Sequence, residues 1–108
     1  MVQDVDDILF NKYLLSSPLP IVVDFWAPWC GPCLKIAPLL EEFSQKYEQQ
    51  ITFIKINVDL YPKLSAQYNI SSIPNIKIFL KGIEIKNIIG AHPRAKYEAI
   101  FNEIINQK

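Results

Sequence analysis

Cys30 and Cys33 are the only cysteines in this chain. They stand in Trp26-Ala27-Pro28-Trp29-Cys30-Gly31-Pro32-Cys33, where an apolar, β-branched run gives way to an amphipathic pattern. Two thiols at this spacing, beside a strand–helix–strand pattern, form and break a disulfide reversibly. The attacking species is the thiolate, which is favoured at the first turn of a helix. Unpaired backbone N–H groups and the positive end of the helix dipole meet it there. Such a site lowers a thiol pKa from about 8.5, and each unit corresponds to about 1.4 kcal/mol of preference for the anion. Too large a drop would weaken attack, because nucleophilicity falls with basicity.

The roles follow from position. Cys30 is the nucleophile that opens a substrate disulfide. Cys33, one helical turn later and on the buried side, resolves the mixed disulfide. Gly31 lets a partner chain approach closely. Pro32 stiffens the turn at a position where its missing N–H costs nothing.

Asp24 is the second informative residue, a carboxylate within Val22-Val23-Asp24-Phe25-Trp26. Burial would raise its pKa, and a buried acid near a dithiol takes or returns the Cys33 proton. Lys55, on the neighbouring strand, is its candidate charge partner. The bland alternative places Asp24 at a solvated edge, although aspartate is depleted in strands.

Other readings of the same residues compete. Zinc usually needs four ligands in two close pairs, and only His92 is available as a third, so no metal is expected. A fixed structural disulfide would close a very small loop and contribute little. His92 reads as a solvated loop residue, with proton carrier or substrate contact as the alternatives. Trp26 reads as core, whereas Trp29, after a proline in a loop, reads as exposed and functional. Asp59 reads as a cap for a short helix.

The elements that position these groups are legible in the periodicity. Asp4 or Asp6 caps a first helix through Ile8, Leu9 and Tyr13, ended by Ser16-Ser17-Pro18-Leu19-Pro20. The run 21–26 is a strand buried on both faces. From about Gly31 to about Tyr47, Cys33, Ile36, Ala37, Leu40, Phe43 and Tyr47 recur at helical spacing, with a kink predicted at Pro38. A parallel strand over 51–58 follows, then a short helix from Pro62 to Tyr68. Asn75–Leu80 and Ile83–Ile89 form a hairpin over Lys81-Gly82. Pro93 to Ile105 is a last helix with Tyr97, Ile100, Phe101, Ile104 and Ile105 inward. The class is α/β, a mixed sheet of four to five strands flanked by helices on both faces.

With 108 residues, half of them apolar, and 13 aromatic residues, one domain spanning 1–108 with one core is expected. A net charge of zero without a basic block argues against nucleic acid. No segment approaches the roughly 20 apolar residues of a membrane span. The acidic start, Met1 to Asp7, is unlike a secretory signal. A cytoplasmic protein is therefore expected, where a lone cysteine pair is catalytic rather than structural.

The chain resembles the thioredoxin family over nearly its whole length. The resemblance is carried by Val23-Asp24-Phe25-Trp26-Ala27, Trp29-Cys30-Gly31-Pro32-Cys33, Ile36-Ala37-Pro38, Asp59, Ile73-Pro74, Phe79-Leu80-Lys81-Gly82 and Gly90-Ala91. It implies a protein-disulfide reductase that works in cell redox homeostasis without a cofactor. A thioredoxin reductase would regenerate it, disulfide-containing proteins would be its substrates, and it would act as a monomer. It further implies a cis Pro74 against the cysteines, with the backbone of Ile73 pairing with an extended substrate segment. Trp29, Ile73, Gly90 and Ala91 would form a flat apolar docking surface. Asp24, with Lys55 beside it, would be the buried acid near Cys33.

The chain departs from the family pattern at Asn75, where threonine is common, at Leu34, where a basic residue is frequent, and at His92-Pro93. The segment before Asp24 is short, which leaves a first edge strand open. Two other roles compete with reduction. One is a disulfide oxidant or isomerase, although such members usually carry histidine before the second cysteine. The other is a binding subunit that uses the apolar patch without redox turnover.

Overall fold

A strand that is apolar on both sides has to be covered on both sides, and 21–26 is such a strand. In the computed structural model, which describes residues 1–106, it lies at the centre of the sheet. The elements run β1 (Gln3–Asp4), α1 (Asp7–Ser16), β2 (Ile21–Trp26), α2 (Gly31–Lys46), β3 (Thr52–Asn57), α3 (Pro62–Gln67), β4 (Asn75–Leu80), β5 (Ile83–Ile89) and α4 (Arg94–Asn106). The five strands lie in the order β1-β3-β2-β4-β5. β1, β3 and β2 are parallel, whereas β4 and β5 pair antiparallel. The short β1 adds the edge strand that periodicity left open.

The two faces of β2 separate two cores. Val22 points into a cluster with Ile36, Leu40 and Phe43 of α2 and Tyr97, Phe101 and Ile104 of α4. Val23 and Phe25 point the other way, to Phe10 of α1 and Leu64 of α3. Asp24 shares the face of Val22 by strand alternation, so it lies under α2 and α4.

Local chemistry sets the boundaries. Asp6 caps α1, its carboxylate accepting from the Leu9 N–H at 2.8 Å. Pro38 lies inside α2, which runs on to Lys46. Tyr61, not Asp59, occupies the N-cap of α3, and it makes no side-chain capping bond. The turn between β4 and β5 needs a left-handed backbone, supplied by Lys81 (φ 52°) and Gly82 (φ 81°).

Candidate active site

β2 ends at Trp26, and the chain turns through Ala27-Pro28-Trp29 into α2 with Cys30 as its N-cap. Cys30 and Cys33 are joined in a disulfide. The Cys30 Sγ accepts the Cys33 backbone N–H at 3.2 Å. A sulfur that receives a helix N-terminal N–H holds negative charge more readily once the disulfide opens. Both cysteines are largely covered, and they pack with Ala27, Trp26, Val58 and Ile73. A Cβ placed on Gly31 would meet nothing within 4 Å, so the surface at Gly31, between the two cysteines, is open.

Asp24 is 4% exposed, and its Oδ1 has no hydrogen-bond partner. Burial pushes the carboxyl up to about 7, against the pull of the Lys55 ammonium. Lys55 lies opposite Asp24 in the β2–β3 register. Its Nζ sits 4.6 Å from the centre of the Trp26 ring. A cleft of about 290 Å³ opens beside Asp24, with Leu34, Pro38, Glu41 and Lys55 among its walls. The carboxyl therefore has a route to solvent.

Around the disulfide, the Ile73–Pro74 peptide is cis. The Gly90 N–H donates to the Pro74 carbonyl at 2.8 Å, tying the two loops together. Gly90 has φ 87°, a left-handed backbone that a side chain would strain. Trp29 is 70% exposed, and Ala91 is also exposed.

Two residues differ from their sequence reading. Asp59 does not cap α3. Its carboxylate instead accepts the Trp29 indole N–H at 2.8 Å, which fixes the exposed ring beside the cysteines. Nothing in local spacing announces a bond between residues 29 and 59. His92 is not a freely solvated loop residue. It is half-buried, its ring packs edge-on against Tyr97, and its Nε2 meets the Ile89 carbonyl at 2.7 Å.

A helix-capping sulfur joined in a disulfide to the residue one turn on defines a thiol–disulfide oxidoreductase. The model of the thioredoxin family matches residues 1–103. A thioredoxin of Porphyra purpurea is 40% identical over 105 residues, covering 97% of this chain and 98% of that protein. A thioredoxin of Synechocystis is 46% identical over 90 residues, covering 83% and 84% respectively. The chloroplastic M-type thioredoxin of spinach is 46% identical over 94 residues, 87% of this chain and 52% of its own length. The chain belongs to the thioredoxin family, and its activity is protein-disulfide reduction through the Cys30–Cys33 pair. Among the described residues no helix is long and apolar enough to cross a membrane.

Proposed function

We propose that the reduced protein passes two electrons to protein disulfides by a two-cysteine exchange. The Cys30 thiolate attacks one sulfur of the substrate disulfide. That S–S bond breaks, a mixed disulfide forms, and the departing substrate thiolate takes a proton from solvent. Asp24 then accepts the Cys33 proton, and the Cys33 thiolate attacks the Cys30 sulfur. The mixed disulfide breaks, the second substrate thiolate leaves and is protonated, and the Cys30–Cys33 disulfide remains. A reductase of the thioredoxin reductase class returns the two electrons.

The observation that carries this reading is the Cys30 sulfur at the head of α2, accepting the Cys33 N–H. The burial of Asp24 and its raised pKa support its part as the proton acceptor, with Lys55 modulating it. For docking, Trp29, Gly31, Pro32, Ile73, Pro74, Gly90 and Ala91 would form the contact face, with the Ile73 backbone pairing with the substrate chain. The protein would act as a one-domain monomer in the cytoplasm, where a lone cysteine pair serves chemistry rather than structure.

Cysteine variants test the order of events. Cys30→Ser should abolish turnover. Cys33→Ser should still attack but accumulate mixed disulfides, seen as substrate adducts on a non-reducing gel. Full turnover by Cys33→Ser would rule out the two-cysteine exchange.

A further inference from the structure

The loop from Gly90 to His92 carries exposed Ala91 at its tip, and helix α4 lies beneath it. Tyr97 of α4 is fully buried, yet its hydroxyl is not idle. It accepts the His92 backbone N–H at 3.1 Å and donates to the Gly90 carbonyl at 3.3 Å. One side chain thus holds the backbone on both sides of Ala91. From the same loop the Gly90 N–H reaches the Pro74 carbonyl, and the His92 ring closes on Ile89 and packs against Tyr97. Below the hydroxyl, the Tyr97 ring packs beside Phe101 in the α2–α4 core. A hydroxyl anchored in that core costs free energy unless it is bonded, and the loop backbone supplies its bonds.

The geometry points to Tyr97 as a positioning residue for substrate docking. Its hydroxyl holds the Gly90–Ala91–His92 loop and, through Gly90, the Pro74 loop, whose Ile73 packs on the cysteine pair. Tyr97 touches no substrate and takes no part in the electron transfer. A loop held in its bound shape spares the substrate the ordering entropy of docking, so loss of the hydroxyl weakens protein substrates through KM. This inference rests on the docking role proposed above for Gly90 and Ala91.

Tyr97→Phe keeps the ring and its packing and removes only the hydroxyl. With insulin as the disulfide substrate and dithiothreitol as reductant, KM should rise by about threefold to tenfold, the scale of a lost buried hydrogen bond. Both kcat and the equilibrium constant of the cysteine pair against dithiothreitol should stay within twofold of the parent, a change in potential of at most about 9 mV. Ala91→Glu, which spoils the apolar tip directly, serves as the parallel test of docking. A raised KM in Ala91→Glu with an unchanged KM in Tyr97→Phe would overturn the role of Tyr97 and leave the docking reading standing. An unchanged KM in both would overturn the docking reading and this inference with it. Equal losses of kcat and thermal stability in Tyr97→Phe, with KM unmoved, would make the hydroxyl merely structural and also overturn it.

Discussion

Asp24 shows what one residue contributes and what it costs. Burial penalises the charged form and pushes its carboxyl up to about 7 in the fold, against 3.8 ordinarily. Between those values the unfolded chain has lost a proton that the native state still holds. Stability therefore falls as pH rises through this window and is lowest above it. The gap sets a ceiling of about 4 kcal/mol. Asp24→Asn should flatten this limb and stabilise the protein at pH 8 by about 1–3 kcal/mol, as measured by urea unfolding at pH 5 and pH 8. An unchanged slope between those pH values would mean that the carboxyl is ionised throughout. Cost at a buried polar group is expected where function needs the group. At this scale the sequence was informative: the cysteines and Asp24 announce themselves by type and setting. Asp59 and Tyr97 do not, because their bonds to Trp29 and to the Gly90 loop depend on chain crossings that no short motif encodes.

Among the elements, the β4–β5 hairpin has a polar inset in an apolar sheet. Lys77 is 5% exposed, and its ammonium meets Glu84 and Asn87, each at 3.1 Å. Asn87 also accepts from the Asn75 amide at 2.7 Å, one residue beyond Pro74. A bulge makes this possible. Register shifts between Ile78 and Phe79, so that Phe79 faces Glu84 rather than Ile85. That shift brings Glu84 to the face that Lys77 and Asn87 share. Removing one partner of a buried pair costs more than replacing the charge altogether. Glu84→Gln should therefore destabilise by about 1–3 kcal/mol, reduced from the fully buried case because Glu84 is partly exposed. Lys77→Met should stay within about 1 kcal/mol of the parent. Chemical denaturation of both variants checks the order, and a more stable Glu84→Gln than Lys77→Met would contradict it. The limits of β4 and β5 were readable from alternation and the Lys81-Gly82 turn. The bulge was not, because a register slip leaves no mark on local composition. β1 was equally hidden, since two residues are too few to show a period and only pairing with β3 makes them a strand.

For the whole molecule, one sheet divides two jobs. The α2–α4 side holds Asp24 and anchors Tyr97, so acid and loop support share one core. The sheet's central strand delivers the chain to the cysteines, and the open ground above Gly31 leaves them to a partner. The order of every element but β1, the sheet class and the core faces followed from apolar periodicity, which reports burial directly. The cis Ile73–Pro74 peptide and the packing of Ile73 on the cysteines were available only through the family resemblance.

The Cys30–Cys33 pair is poised to give electrons rather than to take them. The direct test is its equilibrium reduction potential, titrated against a thiol buffer of known poise. The expected result is about −270 mV, the value characteristic of the thioredoxin family. A result of about −180 mV would be roughly 1,000-fold more oxidising. It would rule out a reductant and make the protein an oxidant or isomerase.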